Sequence, residues 1–142
     1  MGKSGLEINK VLLGWRTKIN KSVPMFVVGT KRVYDPVCNE DGYRILTMRF
    51  WPRGIPRTSI DYWEKEFGPS VELLKAGRSD VFNWEEYSRR YIAEMSHRPS
   101  ELERLYKLSR YRKVTLLCGC KDENFCHRSL LKEILLNIRQ VY

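Results

Sequence analysis

The sequence is short of several things, and each shortage excludes something. There is one glutamine, Gln140, and there are only two histidines, His97 and His127, against 26 lysines and arginines. Scarce glutamine beside abundant Lys, Arg and Glu is the bias of heat-adapted proteins, so a thermophile source is expected. No long apolar run exists, which excludes a membrane-spanning helix. The first residues lack the apolar core of a signal peptide, so a cytoplasmic location is expected. Gly2 is present, but Leu6 stands where a myristoylation signal needs Ser or Thr. There is no internal repeat, no low-complexity tract and no recognised DNA- or RNA-binding motif. Four cysteines in such a chain are too few for a secreted disulfide scaffold.

What is present fits one domain. The chain has 142 residues, is 42% hydrophobic and carries a net charge of +9. That is enough chain for a real core. The positive balance favours phosphate-bearing partners, which keeps a nucleic-acid-binding module among the candidate functions. The charge is dispersed, however, in clusters no longer than "RYRK".

Periodicity divides the chain. Residues 1–24 read as an amphipathic helical extension: Ser4 and Glu7 form a capping box, and Ile8, Val11, Leu12, Trp15 and Ile19 follow helical spacing. This helix is the expected surface for any homo-oligomer. Residues 25–142 read as a single α/β domain. Met25–Asp35, Tyr43–Phe50 and "KVTLLCG" are expected strands. The second is apolar enough to lie inside a sheet. Ser59 is expected to cap a short helix with Ile60, Trp63 and Phe67 on one face. Trp84, Tyr87, Tyr91 and Met95 mark a second helix, and a Ser100–Glu103 capping box opens a third. Asn124 is expected to cap a last helix that buries Leu130, Leu131, Ile134, Leu135 and Ile138. The fold class is α/β: a small, mainly parallel central sheet flanked by helices, a Rossmann-like layered fold. In such sheets ligands sit beyond the carboxyl ends of the strands. Loops leave the second and third strands there, "WPRG" and "CGCKDENFCHR". If those strands are parallel neighbours, the loops share one crevice.

The chemistry-bearing residues lie in those loops. Cys126, His127 and Arg128 are expected in the first turn of the last helix, where free amides and the helix dipole favour an anion. Arg128, Ser129, Arg49 and Arg53 would hold it, with Trp51 beside them. The expected function is therefore binding of a phosphate or other anion-bearing small molecule. The same field would favour a Cys126 thiolate, which makes a cysteine-dependent enzyme or redox protein, with His127 as acid or base, the alternative. The loop of tyrosine phosphatases and rhodaneses is not matched, because the position of its cysteine is Asp122. Cys118, Cys120, Cys126 and His127 are the right residue types for zinc, but Cys-x-Cys and adjacent Cys-His depart from the usual pairing of about two to four intervening residues. No metal or other cofactor is favoured on spacing, and zinc would be the one these residues take. A Cys120–Cys126 disulfide also fits the loop length.

The motifs "TKRVYDP", "DGYRIL", "RFWPRG", "PSVELLK", "W-x-x-Y-x-x-R-Y-x-x-E-M" and "VTLLCGCKDENFCHR", in that order, resemble the domain of unknown function 488. The likeness covers about Met25 to Leu136. It implies a compact α/β domain with a pocket between the "WPRG" arginine and the turn before the last helix. The short members carry an acidic residue where this chain has Met48. His127 matches both branches of the family, whereas Cys126 with Arg128 matches the longer branch alone.

Overall fold

The computed structural model describes residues 27–79 and 81–141, without the side chains of 139–141. The amphipathic segment over 1–24 lies outside the described residues. Four strands form one sheet: β1 (Val28–Arg32), β2 (Tyr43–Leu46), β3 (Tyr62–Trp63) and β4 (Val114–Cys118). Their order is β1-β4-β2-β3, and every pairing is parallel. Four helices accompany it: α1 (Val71–Gly77), α2 (Trp84–Met95), α3 (Pro99–Tyr111) and α4 (His127–Val141). The α/β layered architecture is the expected one. None of the described helices is long and apolar enough to cross a membrane.

Alternation along the strands splits the core in two. Val114 and Leu116 of β4, with Val28 and Ile45, meet buried residues from all four helices: Leu73, Tyr91, Leu102 and Leu131 are each essentially inaccessible. Leu117 and Leu46 point the other way and join Val33. That face is covered by the chain between β2 and β3, through Met48, Trp51, Ile55, Ile60 and Trp63. The expected apolar stripes of α2 and α4 are seen as such.

Four local expectations are corrected. β2 ends at Leu46 rather than Phe50. Thr47 still donates its amide to the Leu117 carbonyl, but the chain then crosses Gly68, where a Cβ would meet Arg49 N at 2.4 Å. Ser59 caps no helix. Its hydroxyl donates back to the Pro56 carbonyl, Arg44 Nε donates to its own carbonyl, and Asp61 accepts the Arg44 amide. Those bonds draw the segment alongside β2 as the edge strand β3. Helix α3 opens at Pro99, whose fixed φ and missing N–H suit a first helical position, so Ser100 lies within the first turn. Asn124 sits in a 3₁₀ turn, Glu123–Phe125, capped by Asp122. Helix α1, to which the sequence assigned no element, is capped by the Ser70 hydroxyl accepting the Leu73 amide.

Candidate functional site

β2 and β4 are adjacent and parallel, so the loops leaving them open on the same end of the sheet. Between them lies a cleft of about 590 Å³. The first loop supplies Met48, Arg49, Phe50 and Trp51, and the second supplies Cys118, Gly119, Cys120, Phe125 and His127. The region of α1 and α2 closes the far wall with Arg78, Phe82 and Tyr87. Aromatic rings dominate. Trp84 stacks on Tyr87 at 5.4 Å, and Phe125 meets Trp84 edge-on at 5.6 Å.

Three sulfurs cluster at the floor, where Cys118 and Cys120 line the cleft and Cys126 lies buried. The Sγ atoms of Cys118, Cys120 and Cys126 lie within 4.8 Å of one another, and all these cysteines are free. β4 carries Cys118 inward at its last position. Gly119 lets the chain turn beside Met48 and Tyr34. Cys126 has extended backbone immediately before α4, which leaves its side chain buried. Cys120 is the exposed member.

His127 is locked by the sheet. Its Nε2 lies 2.7 Å from the Thr47 carbonyl oxygen, and a carbonyl only accepts, so Nε2 carries the proton. The Thr47 hydroxyl donates to the Leu117 carbonyl at 2.9 Å and stands 3.3 Å from the same nitrogen. Tyr91 packs against the imidazole with ring centroids 5.5 Å apart. Nδ1 faces Cys118 Sγ at 3.8 Å and Cys126 Sγ at 4.0 Å.

The thiols polarise one another. Hydrogen bonds from Cys118 and Cys126 hold the Cys120 thiol far below the usual thiol range, against the opposing effect of burial and with help from His127 and Arg128. The hydrogen bond to Cys120, with burial, pushes Cys118 up to about 11. Bonds to Cys118 and Cys120, then burial, raise Cys126. Cys126, the expected candidate nucleophile, is buried, and Cys120 is the exposed thiol.

The arginines expected to hold an anion are largely engaged. Arg128 is buried, and its Nη1 donates to the Cys120 carbonyl at 3.0 Å and faces Cys126 Sγ at 3.4 Å. Arg49 donates to the Pro69 and Gly68 carbonyls and lies 3.5 Å from Glu66. Ser129 donates to the Glu123 carbonyl. Trp51 lines the cleft but donates to the Ile55 carbonyl, with Arg57 over its ring at 4.5 Å. Arg53 is exposed beside Gly54, which turns at φ 80°, and is not part of the cleft wall. Thr47, Arg78 and Phe82 carry no motif that marks them in the sequence; long-range packing brings them here.

Residues 28–139 match the DUF488-N3a family, described as the active DUF488-N3 subclade. The chain belongs to the DUF488 family. It is similar to the uncharacterised protein YeaO of Escherichia coli, with 39% identity over 110 residues, 76% of this chain and 96% of that one. It is also similar to the uncharacterised protein Rv3073c of Mycobacterium tuberculosis, 30% identical over 110 residues, 76% of this chain and 92% of its relative. No solved structure matches. The matched span contains both loops of the cleft and the whole thiol cluster.

Proposed function

We propose that this DUF488 protein binds a small ligand that joins a flat apolar group to an anionic one, in the cleft at the carboxyl ends of β2 and β4. The observation that carries the reading is the convergence of both loops on one aromatic-walled space of about 590 Å³. That volume suits a small organic molecule. Phe50, Phe82 and Phe125 stay well exposed around it, and such rings gain by covering a flat partner. The cation for the anionic end is Arg78, exposed and on the cleft wall, whereas Arg49 is bonded to the Gly68 and Pro69 carbonyls and Arg128 is buried behind Cys120 and Cys126.

Thermal-shift titration with phenyl phosphate, benzoate, inorganic phosphate and benzyl alcohol tests this. The aromatic anions should raise the melting temperature more than either half alone. Arg78→Ala should weaken them by about tenfold or more, the scale of one lost charge-assisted hydrogen bond. Equal response to all four probes, or none, contradicts the reading.

A further inference from the structure

The three sulfurs and the Nδ1 of His127 have a spacing that their mutual hydrogen bonds do not require. Cys118 Sγ is 3.7 Å from Cys120 Sγ and 3.8 Å from His127 Nδ1, and Cys126 Sγ is 4.0 Å from that Nδ1. A tetrahedral zinc with bonds of about 2.3 Å to sulfur and about 2.0 Å to nitrogen has edges of about 3.8 Å between sulfurs and about 3.5 Å from sulfur to nitrogen. The three edges given, at 3.7, 3.8 and 4.0 Å, are close to these, and the three sulfurs all lie within 4.8 Å of one another.

The surroundings fit a metal as well. Ligating histidines usually donate their other ring N–H to a carbonyl or carboxylate, and His127 does so to Thr47. Three thiolates around a divalent ion leave one negative charge. Arg128 Nη1, 3.4 Å from Cys126 Sγ, and the first turn of α4 sit against it.

The geometry points to a Cys₃His centre for zinc or a similarly thiophilic divalent ion, with Cys118, Cys120, Cys126 and His127 as ligands. Sequence spacing disfavours it because the four residues come from a strand end, a loop and a helix start. Folding supplies the separation that a knuckle takes from its intervening residues. Binding forms three metal–sulfur bonds and one metal–nitrogen bond, releases the thiol protons to buffer and moves no electrons. Any proton on His127 Nδ1 leaves to buffer with them, and Nε2 keeps its own toward Thr47. Cys120 is the exposed ligand, so the metal would form part of the cleft floor. The inference goes beyond ligand binding and does not depend on it.

The test is titration of the fully reduced, metal-free chain with Zn²⁺ against a chromophoric chelator, and with Co²⁺ by absorption. The expected result is one equivalent of Zn²⁺, with tetrahedral Co²⁺ bands and thiolate-to-cobalt charge transfer. Cys120→Ser, exposed and so the substitution least disruptive to the fold, should weaken Zn²⁺ by more than the about 10- to 100-fold typical of losing an outer partner. Cys118→Ser should do the same, checked for folding by circular dichroism. No binding by the reduced chain, or binding unchanged in folded Cys120→Ser, overturns the inference. Either result leaves the phenyl phosphate and benzoate titrations to be read separately.

Discussion

Two polar clusters are built into this sheet, and they are finished in opposite ways. On the face away from the helices, Asp41 accepts from Lys31 Nζ at 2.9 Å, from the Cys38 amide at 3.0 Å and from Arg44 Nη1. Thr115 donates to its backbone carbonyl. One carboxylate thus meets two cations, and its oxygens are filled by protein donors. At the carboxyl end of β4, three sulfurs and an imidazole nitrogen converge with one guanidinium beside them. That cluster is rich in acceptors and short of cations. A closed cluster speaks for stability of the fold, and an open one for a site that takes something in.

The sharpest break in this contrast is Asp41→Ala. It leaves Arg44 buried without its carboxylate and should cost about 3–5 kcal/mol in urea unfolding, with no effect on metal or ligand binding. A loss under about 1 kcal/mol would mean the cluster is not closed as described. Metal removal should act on the other cluster alone. At free zinc about a thousand times the dissociation constant, linkage adds about 4 kcal/mol, which chelation should abolish in the native chain, whereas the stability of Cys120→Ser should not change on chelation. Arg128→Met comes next. It strips the donor from the Cys120 carbonyl and should cost about 1–3 kcal/mol, with weaker zinc binding besides.

A smaller effect separates the clusters by pH. Burial would raise the Asp41 carboxyl, but hydrogen bonds from Lys31, the Cys38 amide and Arg44 outweigh it and hold it below its usual value. A depressed folded value means that its stabilisation is complete above the unfolded value of about 3.9 and is lost as pH falls through the folded one. The stability gap between the native chain and Asp41→Asn, followed by urea unfolding across that acid range, should therefore narrow as the solution is acidified. A constant gap would contradict the assignment.

The sequence was most legible where apolar continuity decides structure. "YRILTMRF" read as a central strand and "KVTLLCG" as a strand, and the parallel pairing of β2 with β4 meets the condition on which their two loops share one crevice. It was least legible where a helical spacing had a competing use. Ile60, Trp63 and Phe67 fit a helix face, yet bonds from Arg44 hold that stretch as β3 and a 3₁₀ turn. Asn124 is a good capping residue, but Asp122 caps first, which moves the helix start to His127 and buries Cys126. The arginines at positions 49 and 128 read as anion ligands because their carbonyl partners, at 68, 69 and 120, are set by tertiary packing. Thr47, which fixes the His127 tautomer, has no signature beyond being a strand residue.

The most direct test of an open thiol cluster is X-ray absorption at the zinc edge of the zinc-loaded protein. The account predicts a four-coordinate shell of three sulfurs at about 2.3 Å and one nitrogen at about 2.0 Å. A shell of oxygen and nitrogen without sulfur would contradict it.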